Sequence, residues 1–197
     1  MQITKNADTY KYGLEWSPDS KKILWSDKKF RLRYVDIESK QITEVAKSEM
    51  WEIRNYNWSP DSKWVVYVNP EYETMNTLKV YNLDTKKTHN ITQGWYSVWS
   101  PAFSSDGKYL LFASARDFQP IYSATEWNHA YRDMSKVYLL PLKKDTPSPF
   151  APENAEVEPD DDDDEENGKD KNGGKGDVSV EIDFEGLDNR IEALPVE

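Results

Sequence analysis

Short apolar runs, separated by polar turns, recur along most of the chain. Three of these runs are continuous, at residues 23–25, 65–67 and 110–112. A continuous run of this length, without helical periodicity, favours a strand that is packed on both faces. Further strands are predicted after these runs, at residues 32–37, 41–45, 78–83, 88–92 and 136–142. The pattern as a whole predicts an all-β fold.

A seven-residue motif occurs three times and gives the chain its period. It reads EWSPDSK at residues 15–21, NWSPDSK at residues 57–63 and, in an altered form, AFSSDGK at residues 102–108. Its aromatic residues are 42 and 45 residues apart, which is the spacing of four-stranded propeller blades. We therefore predict an incomplete β-propeller of about three four-stranded blades. The residues that define the repeat are Trp16, Pro18, Asp19, Trp58, Pro60, Asp61, Phe103, Asp106 and Gly107.

The motif also predicts a tight turn between the first and second strand of each blade. Proline presets φ, while Asp and Ser bond back to the nearby backbone. The last turn position favours a positive φ, which Gly107 adopts freely and which costs Ser20 and Ser62 about 1 kcal/mol each. The aromatic residues of the motif recur at the blade period, which predicts that they belong to the core rather than to a ligand site.

The third unit departs from the other two in a long connection at residues 114–135. This connection is unusually aromatic, with Phe118, Tyr122, Trp127 and Tyr131. Connections of this length in compact domains are usually functional or disordered, and four aromatic residues argue against disorder. Packing on a neighbouring blade and recognition of a partner both remain open, because aromatic side chains serve both purposes.

The acidity of the chain is concentrated in one segment. The net charge is −11, and residues 151–177 hold twelve acidic residues and three lysines, a net −9 that leaves −2 for the rest. Charge repulsion and glycine content predict a flexible insertion there. No basic patch of the kind that binds nucleic acid is present, so no nucleic-acid partner is expected.

An alternating apolar pattern follows the acidic segment. Residues 178–184 read VSVEIDF, which predicts a strand, taken as the fourth of blade three. Residues 190–196 would then begin a next blade. The resulting division is residues 1–150 for the three blades, 151–177 for the insertion, and 178–197 for the closing strand and the start of a further blade.

The sequence predicts no catalytic residue, cofactor or metal ligand in this segment. His89 and His129 are the only histidines, and no Gly-x-Ser-x-Gly motif occurs. There is no cysteine, which excludes thiolate chemistry. The acidic run at residues 160–166 lacks the spaced pattern of a calcium loop. No apolar stretch approaches the ~20 residues that span a bilayer, so no membrane partner is expected.

Two sets of residues resemble known families. The Trp-Ser-Pro-Asp repeats resemble the WD40-like blades of TolB-type and peptidase-associated propellers. Residues 94–150, with GWY at 94–96, RDF at 116–118 and SKVYLLPL at 135–142, resemble the seven-bladed propeller of tricorn-type serine proteases. The segment IDFEGL at 182–187 belongs to the same pattern.

The resemblance implies that the parent is a multidomain serine peptidase that trims oligopeptides. Its catalytic residues would lie outside this segment, which would be no enzyme by itself and would form part of a substrate-gating channel. The implied partners are oligopeptide substrates in transit, the remaining blades, the PDZ and catalytic domains, and further copies of the parent. Contact with peptides or with those domains is expected at Arg116, Phe118, Tyr122, Trp127 and Tyr131. The implied location is cytoplasmic, with an exported parent as the alternative.

Other interpretations differ in what accompanies the blades. A TolB-like module would bind a protein partner without any peptidase. A propeller attached to a prolyl-oligopeptidase-like hydrolase would require a Gly-x-Ser-x-Gly motif elsewhere in the gene. Three blades leave two exposed sheet edges, so the chain is expected to be a fragment or to assemble with copies of itself.

Overall fold

The computed structural model of the protein is all-β and contains three four-stranded antiparallel sheets. It describes residues 2–5, 8–117, 120–122, 129–131, 134–151 and 178–195. The first sheet contains β1 Lys11–Trp16, β2 Lys22–Asp27, β3 Arg31–Asp36 and β4 Ile42–Lys47. The second contains β5 Tyr56–Trp58, β6 Trp64–Asn69, β7 Thr77–Asn82 and β8 Lys87–Asn90. In both sheets the strands are neighbours in chain order, which confirms the predicted blades.

The third sheet has the same order but a different fourth strand. It contains β9 Val98–Phe103, β10 Tyr109–Ser114, β13 Lys136–Pro141 and β14 Glu192–Ala193. A separate two-stranded hairpin, β11 Pro120–Tyr122 and β12 His129–Tyr131, lies within the long connection between β10 and β13. Just before β14, Leu187–Arg190 form a 3₁₀ helix.

The strand predicted at residues 178–184 is not formed, and that prediction is wrong. Glu192–Ala193 pair with β13 and complete the third sheet, so the predicted start of a next blade at residues 190–196 is also wrong. The remaining division of the chain stays a prediction, because most of residues 151–177 lie outside the described residues.

The alternation in residues 178–184 serves a different purpose. Val180, Ile182 and Phe184 pack into the core between the second and third sheets. The backbone of Val180 forms its hydrogen bonds with side chains of the second blade. The Val180 N–H donates to Asp61 Oδ2 at 2.9 Å, and Val180 O accepts from Trp64 Nε1 at 3.1 Å. The segment therefore links two sheets across their faces rather than extending the edge of one.

The motif forms the same hydrogen-bonded turn in all three blades. In the first blade, Ser17 Oγ donates to Asp19 Oδ1 at 2.5 Å and accepts from the Lys22 N–H at 2.9 Å. Asp19 Oδ1 also accepts from the Lys21 N–H at 3.0 Å. Equivalent bonds link Ser59 to Asp61, and Ser104 to Asp106, at 2.5 Å each. Ser20, Ser62 and Gly107 have φ values of 59°, 60° and 72°, as the sequence predicts.

Adjacent sheets pack face to face, and β6 shows how. Val65 and Tyr67 face the first sheet and join the core that contains Leu24 and Leu32. Val66 and Val68 face the third sheet and join the core that contains Leu110 and Phe112. All four β6 side chains are at most 4% exposed, which confirms a strand packed on both faces.

The motif aromatics differ in burial. Trp58 is 5% exposed, lies 6.2 Å from Tyr34 of the first sheet, and donates its indole N–H to Glu15 O at 3.3 Å. Phe103 is partly buried. Trp16 is 58% exposed, so the core prediction is wrong for it in this chain. The physical reason is that each motif aromatic packs on the preceding sheet, and the described residues place no sheet before β1.

The two ends of the sheets have different connections. The motif turns, at residues 17–21, 59–63 and 104–108, lie at one end, which we call the turn face. The β2–β3, β4–β5, β6–β7 and β8–β9 connections, at residues 28–30, 48–55, 70–76 and 91–97, lie at the other, which we call the loop face. The β10–β13 connection lies at the loop face as well.

Replacing the two motif tryptophans by alanine should have very different effects on stability. Trp58→Ala removes a buried indole and should lower the free energy of unfolding by about 3 kcal/mol or more. Trp16→Ala serves as the matched control and should change it by less than about 0.5 kcal/mol. Urea unfolding of both variants measures this, and equal losses would contradict the assigned burial.

Substituting glycine for Ser20 and for Ser62 should distinguish the effect of backbone strain on stability from the effect of a hydrogen bond. Ser20→Gly relieves about 1 kcal/mol of left-handed strain, partly offset by backbone entropy, and should stabilise the chain by about 0.5 kcal/mol. Ser62→Gly gains the same relief but removes the Oγ that accepts from the Asp19 N–H at 3.0 Å. That bond is worth about 1 kcal/mol, so the net effect should be destabilising. Thermal unfolding tests the difference, and shifts of equal sign and size would contradict it.

Candidate functional site

The loop face exposes six large apolar side chains from three connections that are distant in sequence. They are between 48% and 86% exposed. Exposed apolar clusters on a protein surface mark interaction sites more often than isolated residues do. We call this set the aromatic rim, and its members are Met50, Trp51, Tyr72, Met75, Trp95 and Tyr96.

The β4–β5 connection holds its part of the rim through one serine. Ser48 Oγ donates to Pro70 O at 3.2 Å and accepts from the N–H groups of Met50 and Trp51 at 3.2 and 3.4 Å. The Trp51 ring stacks on Phe30 with centroids 6.2 Å apart. One face of the indole is therefore packed, while 60% of the residue stays exposed.

The β6–β7 connection is anchored by Glu71. Its Oε1 accepts from Asn69 Nδ2 at 2.9 Å, from Thr77 Oγ1 at 2.7 Å and from Lys79 Nζ at 2.8 Å. Partial burial acts to raise the pKa of Glu71, but the bonds from Lys79, Thr77 and Asn69 outweigh it and hold that pKa below its usual value. The Met75 N–H donates to Gly94 O at 3.0 Å and joins this connection to the next one.

Two grooves lie between these connections. The larger, of about 570 Å³, is lined by Lys47, Glu49, Met50, Glu71, Tyr72 and Glu73 among others. The second, of about 430 Å³, is lined by Trp51, Tyr72 and Met75 among others. Thioether and aromatic groups beside carboxylates provide contacts for apolar and basic side chains.

Arg116 lies on the loop face just after β10, within a cluster of aromatic rings. The centre of its guanidinium is 5.5 Å from the Tyr96 ring, 5.4 Å from Phe112 and 5.0 Å from Tyr138. Its Nε donates to Ser114 Oγ at 3.2 Å. Burial lowers the pKa of Arg116, while the nearby Tyr138, Tyr96 and Asp188 act to raise it.

The other aromatic residues predicted in the long connection are only partly placed. Tyr122 is in β11 and Tyr131 is in β12. In the pairing of these strands, Tyr122 is opposite His129 and Tyr131 is opposite Pro120. Phe118 and Trp127 lie outside the described residues. The predicted contact role of these residues stays a prediction.

The repeat residues do not take part in the rim. Pro18, Asp19, Pro60, Asp61 and Asp106 lie at the turn face with Gly107, and their contacts are those of the turns and sheet interfaces. The motif therefore builds the scaffold on the side opposite the candidate site.

The His89 side chain lies against an aromatic ring. His89 stacks on Phe184 with ring centroids 3.9 Å apart. In the described parts of the chain, no group of three or more His, Asp or Glu residues is arranged to hold a metal ion. Within the same ranges, no helix is long and apolar enough to cross a bilayer.

Sequence reasoning did not single out Met50, Trp51, Tyr72 or Met75 as site residues. The sequence did contain a signal for them: they are large apolar residues in connections, while the apolar residues of the flanking strands are sufficient to form the core. Only the fold shows that these connections meet on one face.

Comparison with known proteins gives consistent results. Residues 1–197 match the family described as the tricorn protease second β-propeller domain. Tricorn protease homolog 1 of Streptomyces coelicolor is 33% identical over 184 residues, covering 92% of this chain and 17% of that protein. A crystal structure of the tricorn protease has a TM-score of 0.77 at 19% identity, covering 98% of this chain and 18% of that one.

A TolB-type protein is more weakly similar. The structure of a putative TolB from Agrobacterium tumefaciens has a TM-score of 0.50 at 26% identity, covering 71% of this chain and 48% of that one. The chain thus spans less than a fifth of the tricorn proteins that it matches and about half of this TolB structure.

Acidification should loosen the β6–β7 connection before the chain unfolds. Because the pKa of Glu71 is lowered by folding, its stabilising bonds are present above the ordinary glutamate pKa of about 4.3 and are lost as the pH falls through the lower folded value. Exchange of the Met75 amide, corrected for intrinsic pH dependence, should therefore accelerate in acid. Glu71→Gln should accelerate it at neutral pH by about tenfold.

The matched control is Glu73→Gln, because Glu73 is exposed and makes no hydrogen bond to the described residues. This variant should exchange at the wild-type rate. Identical exchange in the two variants would mean that Glu71 does not anchor the connection.

Proposed function

Since the chain belongs to the family of tricorn protease second β-propeller domains, we propose that it forms part of the wall and rim of a channel through which oligopeptides reach the active site of a tricorn-like serine protease. It breaks no bond itself. Peptide hydrolysis belongs to other parts of the parent protein.

The observation that carries this proposal is the aromatic rim. A peptide in transit needs contacts that are adaptable and tolerant of sequence, and methionine and aromatic side chains supply such contacts. The two grooves beside the rim, of about 570 and 430 Å³, have room for individual side chains of an extended peptide. Folded proteins would be excluded by the size of the opening.

The exposed face of the first sheet supports a second part of the proposal, namely that another blade of the parent covers it. Leu14 and Trp16 occupy the repeat positions of Tyr56 and Trp58, and they are 65% and 58% exposed. Tyr56 and Trp58 bond to backbone carbonyls of the preceding sheet. A blade placed before β1 would provide the same acceptor for the Trp16 indole.

The remaining partners and the location follow from the family. PDZ and catalytic domains of the parent, and further copies of the whole protein, are proposed as neighbours of this segment. A cytoplasmic location is part of the same proposal.

The alternative function is that of a TolB-like module that binds a folded protein partner without any peptidase. The similarity to the putative TolB structure favours it, but that similarity covers less of the chain than the tricorn match does. A module of this kind would bind one folded partner and would not bind unstructured peptides in general.

The test is binding of unstructured apolar peptides of about ten residues, measured by calorimetry on the 197-residue chain. The double variant Trp51→Ala/Tyr72→Ala should weaken binding by about tenfold, because it removes two exposed aromatic contacts. The control variant Ile42→Ala/Phe150→Ala removes exposed apolar groups near the turn face and should stay within about twofold of wild type.

Three results would contradict the proposal. The first is equal weakening by the rim and control variants, and the second is no peptide binding at all. The third is hydrolysis of peptides by the pure chain that a serine-directed inhibitor abolishes, which would show that the segment is itself catalytic.

A further inference from the structure

Arg116 is a partly buried cation whose charge is not neutralised by an ion pair among the described residues. Its Nε bonds to Ser114 Oγ, and no hydrogen bond joins its two terminal nitrogens to any described residue. The acidic neighbour Asp117 is paired with Lys136, whose Nζ lies 2.7 Å from Asp117 Oδ2. A partly buried guanidinium whose terminal nitrogens have no protein partner gains from an anionic ligand.

The side chain is held in position independently of any ligand. Ser114 is fully buried, and its Oγ donates to Ser97 O at 3.0 Å while it accepts from Arg116 Nε. The rings of Phe112 and Tyr138 lie on the guanidinium. An arginine that is stacked on aromatic rings and whose two terminal nitrogens have no protein partner has the geometry that recognises planar carboxylates.

A cavity of about 270 Å³ adjoins this arginine. Its other lining residues are Thr92, Gln93, Trp95, Tyr96 and Asp188. The volume suits one residue of a peptide. Asp188 lines the same cavity. Its negative charge would repel a carboxylate of the ligand, which is therefore expected beside Arg116, and it would favour an N–H donor of the ligand beside Asp188.

We infer that the cavity beside Arg116 binds a carboxylate group of a peptide, with the guanidinium fork as its partner and the aromatic rings as its walls. The inference rests on the proposed function, because peptides in transit supply the ligand. Two sources share this chemistry: the free C-terminus of a peptide, and an aspartate or glutamate side chain within it.

The experiment titrates the isotope-labelled 197-residue chain and follows the Trp95 indole N–H resonance. Three probes are compared: acetyl-trialanine with a free carboxylate, its C-terminal amide, and acetyl-Ala-Glu-Ala amide. The free acid should bind at least about tenfold more tightly than the trialanine amide. Binding of the glutamate peptide at the same strength would identify side chains as a second source, whereas its failure to bind would assign the site to chain termini.

Variants test the arginine directly. Arg116→Met keeps the apolar stem and should weaken binding of the free acid by about tenfold or more. Arg116→Lys keeps the charge without the fork and should be intermediate. The matched control is Arg33→Met, which alters an arginine of the first sheet that pairs with Glu44 and lines neither groove nor the cavity, and which should stay within about twofold of wild type.

The outcomes separate this inference from the proposed function. If longer peptides bind the chain but the free acid and the amide bind equally, or Arg116→Met binds like wild type, the inference fails while the channel proposal stands. If no peptide of any length binds the chain, both fail.

Discussion

The structure depends on the covering of each sheet face by the next sheet. At the first interface the Tyr56 hydroxyl bonds to the backbone oxygens of Tyr12 and Gly13 and accepts from the Ser26 N–H at 3.3 Å, while the Trp58 indole bonds to Glu15 O. Burial raises the pKa of Tyr56, so the hydroxyl remains a donor over a wide pH range. Gly13 is required there, because a Cβ at that position would overlap the Tyr56 hydroxyl. Apolar burial supplies the energy of this interface, and these few polar bonds define its alignment.

The second interface uses an additional segment. Residues 178–184 lie against both the second and the third sheet, with Val180 bonded to Asp61 and Trp64, and with the Asp183 N–H donating to Leu142 O at 2.9 Å. Asp61 thus serves its own turn through Oδ1 and the neighbouring segment through Oδ2. A motif residue that closes a local turn therefore also contributes to the packing of two blades.

The difference between the two faces explains where function can reside. At the turn face, the Ser and Asp side chains of each motif are committed to closing short turns. At the loop face, the connections are held at their ends by Ser48, Glu71 and Ser114. These anchors allow large apolar side chains and one partly buried arginine to be displayed on a rigid scaffold, which is the usual arrangement of binding sites on loops.

Local patterns were sufficient to predict the strands of the first two sheets, the three turns and the left-handed serines, because each depends on neighbours within a few residues. The same patterns could not predict which edge or face a segment would join. Apolar and polar residues alternate in residues 178–184 as in a strand, yet Glu192–Ala193 form the fourth strand of the third sheet. The alternation shows that one side of the segment is apolar, but it does not show which strand the backbone pairs with. Trp16 and Trp58 have the same local sequence, but Trp16 is exposed and Trp58 is buried. The reason is that the first sheet covers Trp58, whereas no described sheet covers Trp16. The rim and the setting of Arg116 were likewise decided by tertiary structure, since they combine connections dozens of residues apart that meet only when the sheets stack.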